Sequence, residues 1–185
     1  MPATKKITRE KILKKAVEIL RKDGASALNT RSVARACKCS TQPIYHSFSG
    51  MEELEREVAK EVLKIFYGFI EREIAEGKYP EYKAVGMGYI RFAKQESRLF
   101  KYLLMGDGMS LSGMQNDSFE KSIRMIVKNY GLYESDASKL HLQMWVFVHG
   151  IASMFATEYI DWDWETVSRL VSDAYSGFSK NIKGE

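Results

Sequence analysis

Apolar residues at Ile12, Leu13, Ala16, Val17 and Leu20 recur three and four apart. That spacing lays one stripe along a helix from Thr8 to Asp23, and Gly24 stops it. Asn29 or Thr30 can cap a second, short helix whose inner face is Val33, Ala34 and Cys37, with Ala34 small enough for two helices to cross closely. Lys38 and Cys39 make a brief connection, and Ser40 is the expected cap of a third helix. Pro43 then falls in its first turn, where backbone N–H groups have no partner inside the helix and a missing donor costs little.

A fourth helix is predicted from Ser49, with Glu52 completing a capping-box pattern, and Leu54, Val58, Val62, Ile65, Phe69 and Ile70 carry its apolar face toward Gly77. Further helices are expected over about 80–95, 97–105, 112–130, 136–158 and 163–181, and no segment alternates as a strand would. The predicted fold is therefore all-α, with about nine helices. Residues 1–50 form a three-helix head, a fourth helix over about 50–76 connects, and 51–185 form a larger helical body.

Charge sharpens this division. Up to Ser49 the chain holds 11 Lys and Arg against 3 Asp and Glu, while the remainder holds 17 against 21. The overall +4 thus combines a basic head with a mildly acidic body, the asymmetry expected when one end meets a polyanion. The first residues lack the apolar run of a secretory signal, and no window approaches the roughly 18 apolar residues of a membrane span. A soluble, cytoplasmic, nucleoid-associated protein without membrane partners is expected. Cys37 and Cys39 are too close for an ordinary disulfide and too few for a structural zinc site, leaving a reactive or metal-sensing pair or two small hydrophobes in a tight turn.

Two short helices joined by a brief turn, behind a longer supporting helix, make a helix-turn-helix. The second of the pair can enter the major groove with its first residues toward base edges. Here those residues are Thr41 and Gln42, with Ser40 and Pro43 beside them in the expected DNA-binding set. Gln42 can bond adenine in two-pronged fashion and Thr41 can offer a methyl or hydroxyl, while Tyr45 and His46, one turn on, reach the sugar-phosphate backbone. The other reading packs Tyr45 in the core and leaves His46 solvated. Thr30 and Arg31 complete the expected DNA-binding set, and Lys5, Lys6, Arg9 and Arg31 are either phosphate contacts or solvated charges.

The stretch from residue 8 to 58, with Leu28-Asn29-Thr30, Val33-Ala34, "STQPIYHSF" and then Glu52, Glu53 and Leu54, resembles the DNA-binding domain of the TetR family of bacterial transcriptional regulators. The resemblance implies a homodimer that binds a palindromic double-stranded DNA operator through its heads and a small-molecule effector through its bodies, usually as a repressor released by the effector. Two positions depart from the family pattern. Lys38 stands where a turn glycine is usual, and Met51 stands where a phosphate-gripping lysine often begins the fourth helix, so that contact does not carry over.

In the body, Met144, Phe147, Val148, Ile151 and Phe155, then Val167, Leu170, Val171, Ala174 and Phe178, coat broad helical faces. These are the expected dimer interface, the other possibility being a monomer that buries both faces within itself. "WVFVHGIA" resembles a Trp-x-x-x-His-Gly signature found in part of the family. Trp145 and His149, four apart, share a face and either line an effector cavity or form a core pair, and Gly150 is read as room for a neighbouring backbone. Phe92, Phe100, Leu103, Met105, Met109, Met114 and Phe119 are further candidate wall residues.

No HExxH, Gly-rich phosphate loop, GxSxG or paired metal-ligand motif occurs, so neither an enzyme nor a cofactor is expected. Thiol chemistry at Cys37 or Cys39 is the one enzymatic idea left. The competing class is a helical dimer that binds a ligand or protein without specific DNA binding.

Overall fold

A computed structural model describes residues 7–106 and 112–183. Among the described residues there are nine α-helices and no strand: α1 Arg9–Asp23, α2 Thr30–Cys37, α3 Gln42–Ser47, α4 Met51–Glu76, α5 Glu81–Gln95, α6 Ser97–Leu104, α7 Ser112–Tyr130, α8 Glu134–Ala156 and α9 Trp164–Lys183. None is long and apolar enough to cross a membrane. The chain divides into two compact units, one drawn from Met1–Ile65 and Arg98–Ser110, the other from Phe66–Ser97 and Leu111–Glu185.

In the first unit, local chemistry sets each helix start. The Thr8 hydroxyl accepts from the Lys11 amide at 3.2 Å. Asn29 caps α2 by accepting from the amides of Arg31 and Ser32 at 3.1 and 3.0 Å, and the Ser32 hydroxyl accepts from the Asn29 amide in return. Two expectations shift by a residue or two. The third helix begins at Gln42 behind Thr41, which makes no side-chain cap, so Ser40 does not cap it, although Pro43 does lie in the first turn. At α4 the Ser49 amide donates to Glu53 at 2.7 Å rather than to Glu52. With the helix starting at Met51, Glu53 occupies the third helical position, where a carboxylate can reach back.

Lys38 ends α2 in the left-handed region, at φ 56° and ψ 47°, so the missing turn glycine leaves backbone strain there. Replacing Lys38 by Gly is expected to stabilise the protein by about 0.5–1 kcal/mol, the relief of a left-handed side chain less the extra freedom of glycine in the unfolded chain. A rise in the denaturation midpoint at constant m-value would show it.

Residues 98–106 join this first unit for a reason helical periodicity cannot reveal. The Arg98 guanidinium donates to the carbonyls of Arg21 and Lys22 at the end of α1, where helix carbonyls lack internal partners. The Tyr102 hydroxyl donates to the Glu55 carbonyl of α4 at 3.1 Å. The N-terminal unit consequently reaches beyond the sequence-predicted head of residues 1–50.

In the second unit α5 packs on α8 and α9, and α7 packs on α8. Gly88 marks the closest approach, since a Cβ there would lie 2.7 Å from the Ile70 Cα. The expectation for Gly150 is not met: it is exposed, with nothing within 4 Å of where its Cβ would stand. Phe92 meets Phe66 and Phe69 edge-on, with ring centroids 5.4 and 5.5 Å apart. Arg91 pairs with buried Glu73 and lies over the Trp164 ring.

Candidate functional site

Six residues make α3, and their burial alternates sharply. Ile44 and the following Phe48 are each 2% exposed and anchor the helix, whereas Gln42, Tyr45 and His46 face solvent. Tyr45 is 58% exposed, which removes the reading of it as a core aromatic. Beneath this surface Arg9 fixes the helix. Its guanidinium donates to the Ser47 carbonyl, pairs with Glu53 at 2.8 Å and lies 4.2 Å from the centre of the Phe48 ring. Glu53 is held down to about 2, first by the Ser49 amide and then by Arg9. A short probe of three exposed polar side chains is thus clamped from behind, so that its tips are presented while its backbone is held.

The second unit contains a cavity of about 330 Å³ between α5, α7, α8 and α9, within the range of small-ligand sites. Tyr82, Tyr89, Tyr130, His141, Trp145 and Tyr175 give it an aromatic wall, and Met144, Val148 and Val171 add aliphatic surface. The Tyr82 hydroxyl lies 2.9 Å from His141 Nδ1, and the Tyr89 hydroxyl 2.7 Å from His149 Nδ1. Burial pushes both phenols above the ordinary tyrosine range. It also pushes His141 down to about 4 and lowers His149, so at neutral pH the His141 ring is uncharged and its tautomer sets the direction of the bond with the Tyr82 hydroxyl. One cation, Lys83, stands in the lining.

Residues 12–58 match the sequence model of the bacterial regulatory proteins, tetR family. This segment is similar to the tetR-family domain. No curated protein matches the sequence. Among solved structures, a TetR-like transcriptional regulator from Rhodococcus sp. RHA1 is similar over 95% of this chain and 96% of that one, at a TM-score of 0.66 and 12% identity. A TetR variant from Acinetobacter baumannii AYE, in complex with minocycline, is similar over 97% and 96%, at 0.57 and 18%. At those identities the likeness shows the fold, which is the TetR fold over nearly the whole chain.

Within the matched segment, the expected DNA-binding residues divide. Ser40, Gln42, Tyr45, His46 and Arg31 are exposed, and Thr41 and Pro43 are half-buried beside them. Thr30 is only 9% exposed, so its hydroxyl has little surface to offer. Arg9 bonds Ser47 and Glu53 while its side chain stays 42% exposed, and Lys5 and Lys6 lie outside the described residues. Cys37 and Cys39 are free thiols, and Cys37 is buried, which raises its pKa and makes it a poor nucleophile.

Of the wall residues expected from sequence, Trp145 lines the cavity. It stacks on His149, with ring centroids 5.5 Å apart, and His149 in turn stands behind Tyr89. Phe119 packs on His141 at 4.2 Å. Phe92, Phe100 and Leu103 do not line it: all three are core, the last two in the N-terminal unit. Met109 and the Met114 side chain lie outside the described residues, and Met105 is exposed in the other unit.

The tyrosines, His141 and Lys83 were not anticipated. Their signal lies in register: Tyr82, Gly86 and Tyr89 share one face of α5, and His141, Met144, Trp145 and Val148 share one face of α8.

The expected dimer interface also needs correction. Met144, Val148, Ile151, Phe155, Val167 and Val171 are buried inside their own protomer, by packing among α5, α8 and α9. Phe147, Leu170, Ala174 and Phe178 keep partial exposure, Phe147 meeting Phe178 edge-on. The exposed apolar side chains on α8 are instead Leu142, Val146 and Trp145.

Proposed function

We propose that this protein is a cytoplasmic, nucleoid-associated DNA-binding regulator, a repressor that sits on a palindromic operator as a homodimer and leaves it when a small, partly apolar effector binds. One observation carries the reading: the segment similar to the tetR-family domain presents Gln42, Tyr45 and His46 together on the solvent face of a helix six residues long. Such a helix fits the major groove, with Gln42 toward adenine and Tyr45 and His46 toward the backbone.

A single head buries little area on a duplex, so two half-sites a helical turn apart supply the rest. Leu142 and Val146, 51% and 58% exposed and four apart on α8, with Phe147, Leu170, Ala174 and Phe178 at the margin, are the surface offered to the second copy. The effector takes the aromatic cavity, as minocycline is bound by the Acinetobacter protein. Since α4 has residues in both units, an effector that prefers one placement of α4 alters the spacing of the paired α3 helices. Its leverage is its differential affinity for the two states, commonly about 1–3 kcal/mol.

Selection of preferred duplexes from a random pool tests the reading. The expected product is a twofold-symmetric sequence whose affinity falls steeply with salt. Gln42→Ala should relax preference at one or two base pairs per half-site and cost roughly 1–3 kcal/mol. Tyr45→Ala should instead weaken binding to all duplexes alike. A protein that is a lone subunit in solution, with no affinity for duplex DNA even in dilute buffer, would overturn the proposal.

A further inference from the structure

The cavity in the second unit has a polar inventory that selects among ligands. Two of its four tyrosine hydroxyls already face histidine nitrogens, Tyr82 toward His141 and Tyr89 toward His149. The lining contains no Asp or Glu. Its single charge is Lys83, whose Nζ donates to the hydroxyls of Ser168 at 2.7 Å and Ser172 at 2.8 Å, one turn apart on α9. Ser172 also lines the cavity, which places the ammonium at its edge. The Tyr79 ring, 4.8 Å away, supplies a third neutral neighbour.

Among the described residues no carboxylate stands within ion-pair distance of Lys83. Asp173 and Lys78 act on it only from further off and with opposite sign. An ammonium has three N–H donors, and hydroxyls orient such a charge without neutralising it. Burial lowers the Lys83 pKa, the sign of a cation short of counter-charge. An organic cation entering this space would meet like charge and no acid. A wholly apolar ligand would strip water from the ammonium and return nothing.

Resting on the reading of this cavity as the effector site, we propose that the effector class is an aromatic acid: a body of two or three rings against Tyr82, Tyr89, Tyr130, Trp145 and Tyr175, carrying one carboxylate that pairs with Lys83. The aromatic wall supplies offset and edge-on ring contacts, and the pocket's size limits the body to a few rings. A charge-assisted bond at the edge of an apolar cavity then separates the acid from its neutral isosteres.

Calorimetric titration of the full-length protein with naphthalene-2-carboxylate and biphenyl-4-carboxylate tests this against the matching primary amides and the matching trimethylammonium compounds. The carboxylates should bind at least tenfold more tightly than the amides. Lys83→Met should close that gap, weakening the carboxylates far more than the amides, and Lys83→Arg should keep it. Thermal melts of both variants verify that the fold is intact.

Equal affinity for acid and amide, tighter binding of the ammonium compounds, or carboxylate binding indifferent to Lys83→Met would each overturn the proposal. The parent reading fails separately. If amides or ammonium compounds bind and release a selected operator duplex, the cavity is an effector site of another class. If no compound of the three classes binds, the aromatic-acid assignment falls and the assignment of this cavity to the effector falls with it.

Discussion

Phe92→Ala should lower the unfolding free energy by about 3–5 kcal/mol, the range for deleting a buried aromatic side chain. Phe92 is fully buried on α5, and it meets both Phe66 and Phe69 of α4 edge-on. Truncation removes the apolar transfer energy, both ring contacts and the packing of the atoms around the void. Against a total stability of about 5–15 kcal/mol for a typical domain, that is a large share. Denaturant unfolding with and without a cavity ligand separates this role from a ligand-lining one. A core Phe92 gives a large loss and leaves ligand preference unchanged. A loss under about 1 kcal/mol with altered ligand affinity would instead place the ring on the effector surface.

Phe92 also shows where sequence reasoning stops. All nine helices are legible in the apolar spacing, because amphipathic periodicity is a local property and most of the helix ends carry Gly, Pro or a capping side chain. The exposed face of α3 is legible for the same reason: six residues anchored at Ile44 and Phe48 leave Gln42, Tyr45 and His46 outward.

Which apolar residues meet a void, a twin subunit or one another is not a local property. Phe92 and Tyr89 lie three apart on α5 and both meet Phe66 of α4 edge-on, yet Tyr89 also borders the cavity and Phe92 does not. On α8, Met144 and Val148 look like interface from the pattern, but α5 and α9 cover that face, and Leu142 and Val146 carry the exposed apolar surface. Arg98 is a single charge in the sequence and gives no hint that its partners are carbonyls at the end of α1. Side chain to backbone bonds across the chain have no periodicity to read.

Removing Arg91 should be at least as damaging as removing Phe92, for an electrostatic reason. Glu73 of α4 is 1% exposed, and among the described residues its carboxylate has one partner, the Arg91 guanidinium, bonded through Oε1 while Oε2 has none. Arg91 is half-buried and lies 4.3 Å from the centre of the Trp164 ring, so it ties α4, α5 and α9 together. Arg91→Met keeps much of the side-chain volume and the contact with Trp164 but leaves a carboxylate buried without a counter-ion. The expected loss is about 3–5 kcal/mol, the range for breaking a buried pair from one side.

Glu73→Leu alone should cost less, because the guanidinium that remains is partly solvated and still rests on Trp164. The double variant, with Leu at 73 and Met at 91, should recover most of the loss, since a buried pair replaced by apolar groups of similar volume is often neutral or stabilising. Denaturant midpoints of the four proteins in a double-mutant cycle check this directly. A double variant as unstable as Arg91→Met would mean that the pair contributes net stabilisation beyond cancelling its own desolvation. Additive single effects would mean that the two charges act independently, and the ring contact with Trp164 would then be what holds Arg91.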